Sequence, residues 1–289
     1  MKWAIVAVLL FTPLCYGQVK TKTPDGGYGF GDTIPPSQRW EVWETPNFQV
    51  GSYDISQGEY VYQHIEAAKS QFYARWGLPD IKFSVPCRFL FAPNKDIFRS
   101  SFHMDSSNAR VYMGTDNKPN LIVVWVLLDK PFDEAIAKTL AIACLTEYSF
   151  AGHPVAFWVQ RGLPSLNESL DVLTANLVRL KNMVEKDQKM FFSNSLFTVK
   201  EDQWQQMASE NKKLFDDEAA CLCLLFRKEY GRNIFGESIF IEMTENNLKV
   251  LLSFESLNPF SKFDVAFKRY MYYVGADIEA GKMPVSYLR

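Results

Sequence analysis

Histidine is a common ligand of catalytic metals, and this chain of 289 residues has three histidines. They are His64, His103 and His153, and no two of them are four residues apart. A zinc peptidase needs two imidazoles one helical turn apart, a third ligand, and a glutamate that activates the bound water. The number and spacing of the histidines therefore predict no catalytic zinc, and nothing in the sequence calls for another metal or cofactor.

Cysteine chemistry is also weakly supported. One of the five cysteines lies near the start of the chain, and the other four stand among apolar neighbours: Cys87, Cys144, Cys221 and Cys223. Cys221 and Cys223 are two apart in a helical pattern, point to nearly opposite faces, and cannot bridge each other. Buried free thiols and one long-range disulfide both remain open. The chain has no C-x-x-C pair for structural zinc, and an apolar helix would leave the Cys144 thiol inert.

Other familiar catalytic or cofactor motifs are missing from the sequence. It has no G-x-S-x-G nucleophile elbow, no G-x-x-x-x-G-K-[ST] phosphate loop and no G-x-G-x-x-G dinucleotide loop. The net charge is −2, which implies no attraction to nucleic acid. Aromatic residues make up 15% of the chain and supply ample core material. The longest apolar stretch after the first residues, Leu121–Leu128, has the length of a strand rather than of a membrane span.

Residues 1–17 have the pattern of a secretory signal peptide. A positive charge precedes the apolar run Trp3–Phe11, and Cys15-Tyr16-Gly17 places small residues at the −3 and −1 positions of a cut before Gln18. Lipidation of Cys15 is the alternative interpretation. Residues 18–39 are rich in Gly, Pro and Thr and are predicted to form a flexible leader. We therefore expect an exported protein, periplasmic or extracellular and of bacterial type.

Residues 40–130 have the patterns of a strand-rich half. Trp40–Ser52 looks extended, and a helix is predicted from a capping box of Ser56 and Glu59 to Trp76. The remaining elements alternate in strand and helix patterns: a strand at Phe83–Phe91, a helix at Asp96–Phe102, and strands at Ala109–Met113 and Leu121–Leu128. The last of these is apolar enough to be central in a sheet.

Residues 131–289 are predicted to form a helical half. Phe132–Phe150 is apolar nearly all round, which indicates a buried helix. A turn with Trp158–Leu163 follows, and then come four helices: Glu168–Lys186 with Asn167 as N-cap, one opened by Asp216, Asp217 and Glu218 and closed by Gly231, then Phe235–Thr244 and Ser261–Val274. The predicted fold class is α+β, an N-terminal mixed sheet with helices packed on a mainly helical C-terminal half.

Four segments in this order carry a resemblance to a known family: Phe48-Gln49-Val50, Thr139-Leu140, Trp158–Leu163 and Phe226–Gly231. Together with the order of elements over residues 43–275, they resemble the gluzincin-type zinc metallopeptidases of the peptidase MA-like group. In that family the buried helix carries H-E-x-x-H, and a downstream W-L-x-E-G-L-A segment supplies the third ligand. The resemblance implies one composite domain with a cleft between its two halves.

This chain departs from the family at the metal ligands. One register of H-E-x-x-H keeps Glu147 and replaces the two histidines by Thr146 and Phe150; a second register, over 143–147, has no histidine either. Arg161 stands at the position of the third ligand, and a cation cannot bind zinc. The resemblance therefore implies a degenerate metallopeptidase. We expect Arg161 and Glu147 to face the former metal pocket and to pair, because a buried carboxylate needs a partner.

The predicted function is a non-catalytic one. We expect a pseudo-metallopeptidase that binds a peptide or an envelope protein in its metal-free cleft, with Trp158 and His153 as lining residues, or along an exposed edge strand. Two alternatives remain open. One is a metal-independent hydrolase that uses Glu147 with a second carboxylate such as Asp133 or Glu134, and the other is a purely structural envelope component.

Overall fold

The computed structural model describes residues 19–22, 27–30, 41–103, 107–113, 119–153, 155–191, 193–231 and 260–283. These residues form a mixed sheet and a set of helices, as the α+β prediction requires. The predicted signal peptide and the helix predicted at Phe235–Thr244 lie outside the described residues. No helix of the described part is both long and apolar enough to cross a membrane.

The chain divides into two compact units. The first contains residues 1–72 and 80–151, and the second contains residues 73–79 and 152–289. The first unit extends to residue 151 because the buried helix that follows the last strand packs on that strand. That helix therefore belongs to the sheet unit, which contains the following elements: β1 Val19–Lys22, β2 Gly27–Phe30, β3 Glu41–Glu44, β4 Phe48–Ser52, α1 Ile55–Arg75, β5 Cys87–Ala92, α2 Lys95–Phe102, β6 Asn108–Met113, β7 Pro119–Leu127 and α3 Phe132–Phe150. The last three residues of α1 are counted with the second unit.

The strands form one sheet in the order β1-β2-β3-β4-β5-β7-β6. The central strands β4, β5 and β7 run parallel, and the other pairs are antiparallel. β7 lies between β5 and β6, which confirms its predicted central place. The extended segment predicted at Trp40–Ser52 is a pair of strands, and β1 and β2 lie inside the segment predicted as a flexible leader.

Rows of apolar side chains cross the sheet and form its core. Val50, Phe89 and Val124 are register partners on β4, β5 and β7, and all three are fully buried. The alternate residues of β5 and β7 point to the other face, where Val123 packs in a cluster with Phe98 of α2. Both faces of the central strands are therefore covered, as is usual for parallel strands.

The first helix begins one residue earlier than its predicted capping box. The carboxylate of Asp54 accepts a hydrogen bond of 3.1 Å from the Gln57 N–H, so Asp54 caps α1. The predicted box of Ser56 and Glu59 is wrong, because both residues already lie inside the helix.

The second unit is helical in the described residues. Its helices are α4 Phe157–Leu166, α5 Leu170–Glu185, α6 Ser193–Thr198, α7 Glu201–Gln206, α8 Ser209–Tyr230 and α9 Phe260–Glu279. Trp158–Leu163 is helical and not a turn. Asn167 is the C-cap of α4 and does not cap α5, because its side-chain amide donates to the Leu163 carbonyl at 2.7 Å. Gly231 ends α8 with a φ of 79°, as predicted.

Helix α4 approaches α8 closely at Gly162. A Cβ atom on Gly162 would lie 2.5 Å from the carbonyl oxygen of Ala219 and 2.8 Å from the Sγ of Cys223. The nearest atom belongs to the backbone and cannot rotate away. The absence of a side chain at position 162 therefore sets the distance between these two helices.

We predict that Gly162→Ala destabilises the protein by about 1–3 kcal/mol, because the helices must separate to admit one methyl group. The higher intrinsic helix propensity of alanine does not offset this clash. Urea unfolding followed by circular dichroism measures the change, and Val172→Ala, at an exposed position of α5, is the control and should shift the midpoint little. A variant as stable as the parent would contradict the close packing.

Candidate functional site

Glu147 is the residue of this chain that aligns with the glutamate of H-E-x-x-H in the first register of the resemblance. It lies near the end of α3 and is 0% exposed. Its carboxylate accepts hydrogen bonds from the Ser84 N–H at 2.6 Å and from the Ser84 hydroxyl at 3.0 and 3.2 Å. The donors that hold this buried carboxylate are thus the neutral groups of one residue, and both of its oxygens take part.

Ser84 is positioned by a hydrogen-bond network that begins on α1. Glu66 accepts from the Thr45 hydroxyl at 2.6 Å and from the Asn47 N–H at 2.8 Å. The side-chain amide of Asn47 donates to Glu66 at 2.7 Å, and its oxygen accepts from the Phe83 N–H at 2.8 Å. The N–H groups of Phe83 and Ser84 are therefore bound by side chains and not by a neighbouring strand, which explains why β5 begins at Cys87 and not at the predicted Phe83.

The four described cysteines are free and buried, which decides between the two alternatives left by the sequence. Burial raises the pKa of the Cys87 thiol well above its usual value, and the nearby Cys144 and Glu147 raise it further. Burial likewise raises the pKa of Cys221 and of Cys223. A thiol reacts as a nucleophile through its thiolate, so none of these three groups is suited to nucleophilic chemistry.

The other positions of the degenerate motif on α3 do not form a metal site. Thr146 is half-buried, and Phe150 at the end of the helix is 43% exposed. Among the described residues, no three side chains of His, Cys, Asp or Glu lie together as a metal-binding group. The residues present therefore do not fit the zinc ion of the family.

The carboxylates proposed as partners of Glu147 are remote from it. Asp133 and Glu134 lie in the first turn of α3, and Glu147 lies in its last turn. At 1.5 Å per residue, the separation along the helix axis is roughly 20 Å. Paired acid–base catalysis requires two groups that reach one substrate, and these residues do not meet that condition.

Arg161 binds within the helical unit. Its Nε donates to one oxygen of Asp216 at 2.9 Å and its Nη2 donates to the other at 2.6 Å, which is a two-pronged ion pair. The guanidinium carbon also lies 3.9 Å from the ring centre of Trp204. The predicted Glu147–Arg161 pair is wrong, because Ser84 supplies the donors to Glu147 and Asp216 supplies the counter-charge to Arg161.

Asp216 belongs to a run of three buried acids in the middle of α8. The run was predicted to open a helix, but α8 begins seven residues earlier, at Ser209. Successive residues of a helix point about 100° apart, so each acid faces a different neighbour. Asp216 binds Arg161, Asp217 forms an ion pair with Arg179 of α5, and Glu218 accepts from the Phe191 N–H at 2.9 Å. An acidic run flanked by apolar residues on both sides was the sequence signal for this mid-helix placement.

Burial raises the pKa of the second and of the third acid of this run. It raises the pKa of Asp217, although the hydrogen bond and the charge of Arg179 act in the opposite direction. Burial raises the pKa of Glu218 to about 8, and the Phe191 N–H and the charge of Arg179 offset this only in part. Glu218 therefore carries a proton at neutral pH.

The remaining residues that the sequence analysis singled out are Trp158 and two of the histidines. Trp158 is 1% exposed and packs on Phe197 and Phe226 in the aromatic core of the helical unit, so it is a core residue and lines no cleft. His153 is half-buried in the connection between α3 and α4. His64 stacks on Tyr60 on the surface of α1.

Comparison with protein-family models finds no match for this chain. Comparison with curated proteins finds no match either. The resemblance to the peptidase MA-like group therefore rests on the residues and on the order of elements alone.

We predict that Ser84→Ala destabilises the protein by about 1–3 kcal/mol, because the buried Glu147 carboxylate loses its hydroxyl donor and keeps only the backbone N–H. Chemical denaturation measures the effect. Ser100→Ala is the matched control, since the Ser100 hydroxyl is exposed and, among the described residues, donates to a carbonyl of its own helix at 3.1 Å. Equal effects of the two substitutions would contradict a special role for Ser84.

We also predict that the free energy of unfolding depends on pH through Glu218. Its folded pKa is about 8 against an ordinary value of 4.5, so the folded chain keeps a proton that the unfolded chain releases. Stability is then unaffected below about pH 4.5, falls as pH rises to about 8, and levels above that. Glu218→Gln mimics the neutral acid and removes this loss, so the variant gains on the wild type by about 1.4 kcal/mol per pH unit in that window.

Denaturant titrations of both proteins at pH 5, 6, 7 and 8 measure this difference, and the wild type provides the reference for all other titrating groups. A constant difference across the series would show that Glu218 has the same proton affinity in the folded and unfolded chains.

Proposed function

We propose that this protein is an exported, non-catalytic, peptidase-like protein that binds a peptide or an envelope protein. The observation that supports the proposal best concerns Glu147 and Arg161, the two charged residues at the degenerate motif positions. Both are occupied by contacts inside the fold: Glu147 is fully buried against Ser84, and Arg161 is bound by Asp216 and covered by Trp204. Glu147 has no exposed surface at which it could activate water, and the guanidinium of Arg161 is already engaged by Asp216 and Trp204.

The donor chemistry at the motif argues in the same direction. A zinc peptidase places imidazole or carboxylate ligands where this chain has Thr146, Phe150 and Arg161. The Arg161 guanidinium already supplies a positive charge, and its ion pair with Asp216 fixes it in place. A divalent cation beside this guanidinium would be repelled.

The alternative of a metal-independent hydrolase loses support from the geometry of α3. Glu147 has no exposed surface through which a substrate could reach its oxygens. The carboxylates suggested as its partners lie about 20 Å away along the same helix. Binding without catalysis is the function that these contacts favour.

The edge of the sheet is the surface that we propose for binding. β6 is the last strand in the order of the described sheet and pairs with β7 alone. Its residues Asn108 and Arg110 are exposed, and Arg110 lies over the ring of Trp125 at 5.9 Å. A terminal strand offers unpaired N–H and C=O groups to an extended peptide, while its exposed side chains select among peptides.

Two measurements on the mature protein, purified without a chelator or a histidine tag, test this proposal. Elemental analysis should find no stoichiometric zinc, and a mixed fluorogenic peptide library should be bound but not cleaved. One zinc per chain, or cleavage that stops when a chelator is added, would overturn the non-catalytic assignment.

We predict that Arg110→Glu weakens the binding of selected library peptides several-fold, because it reverses the charge beside the edge strand. Arg99→Glu is the matched control, since Arg99 is exposed on α2, away from strand β6. Fluorescence anisotropy measures both affinities. If the two variants bind equally well, the peptide site does not lie at β6.

A further inference from the structure

Glu218 stands apart from the other buried acids in the hydrogen bonds it makes. It is 0% exposed in the middle of α8. One carboxylate oxygen accepts from the Phe191 N–H at 2.9 Å, and the other has no hydrogen-bond partner among the described residues. An ionised carboxylate with a single neutral donor is costly to bury, whereas a protonated one is much less so.

The charged groups around Glu218 do not neutralise it. Arg179 of α5 is the nearby cation, but its guanidinium is held by Asp217, the preceding residue on α8. Asp217 adds a like charge, which disfavours a second anion at Glu218. The Cys221 thiol, one turn further along α8, carries no charge because its own pKa is raised by burial and by the two acids.

The partner of Glu218 belongs to a short connecting segment. Residues 186–191 follow the end of α5, and Met190 in this segment is buried. Gln188 and Arg179 both line a groove of about 420 Å³ along α5. The segment that Glu218 holds through Phe191 therefore also forms part of the wall of this groove.

We propose that Glu218 is a proton-operated latch that holds segment 187–191 against α8 when it is neutral and releases it when it ionises. Release lets the carboxylate reach water, which supplies the donors that the closed state lacks. Because Gln188 is in the released segment, the same step changes the groove along α5. The latch is independent of the proposed peptide-binding function.

Proton linkage gives the size of the effect. In the closed state the pKa of Glu218 is about 8, and in the open, hydrated state we take its ordinary value of 4.5. The equilibrium constant for opening then rises about tenfold per pH unit between pH 4.5 and about pH 8, and it is constant above about pH 8. From pH 5 to pH 8 the total rise is on the order of 10³.

Hydrogen exchange of the Phe191 amide in the full-length protein tests the latch. Labelling at pH 5 to 9, with times corrected for the intrinsic exchange rate, gives the protection factor of peptides that cover residues 187–191. We expect protection in the wild type to fall about tenfold per pH unit up to pH 8 and then to level. In Glu218→Gln, which is isosteric and permanently neutral, protection should be independent of pH.

Asp187→Asn is the matched control. Its side chain is 91% exposed in the same segment, its ion pair with Lys268 is weak, and Asn accepts the φ of 47° found at this position. This variant should keep the pH response of the wild type. A pH response that persists in Glu218→Gln, or one that disappears in Asp187→Asn, would overturn the proposal.

Discussion

A carboxylate that leaves water must receive hydrogen-bond donors, a cation or a proton, and the buried acids of this protein depend on this constraint. Each unit meets it in its own way. In the sheet unit, Glu147 receives the N–H and the hydroxyl of Ser84. In the helical unit, Asp216 and Asp217 receive arginines, and Glu218 receives one N–H. The contacts of Glu147 and Glu218 join residues far apart in the chain: the segment at Ser84 packs on α3, and the segment at Phe191 packs on α8.

The same constraint limits the chemistry that a buried side chain such as Glu147 can perform. A residue acts in catalysis when its reactive atom meets the substrate, and that condition conflicts with full burial and complete hydrogen bonding. Glu147 is fully buried against Ser84, and the guanidinium of Arg161 is held by Asp216 and Trp204. The contacts of these two residues thus stabilise the fold.

Local patterns predicted much of the fold. The apolar helix Phe132–Phe150 has its predicted bounds, and Gly231 ends α8 as its position after basic residues suggested. The failures lie where distant partners override local preference. Acids favour the first turn of a helix, so the run from Asp216 was expected to start one, but arginines from α4 and α5 stabilise it in the interior. Trp158–Leu163 was predicted as a turn, whereas it is helical and its Gly162 allows the close approach of two helices. Periodicity contains no information on which arginine meets which acid.

The three neighbouring acids on α8 show why such pairing decides the chemistry. They differ little in burial or in backbone conformation, yet the helix turns each towards a different element. Asp216 forms an ion pair with Arg161, and Asp217 forms one with Arg179, whose charge also acts on Glu218. Glu218 accepts a neutral N–H and forms no ion pair among the described residues, so binding a proton is the way in which it loses its charge. Burial raises the pKa of Glu218 to about 8, and because the charge of Arg179 lowers this pKa in part, replacing Arg179 by a neutral residue would raise it further.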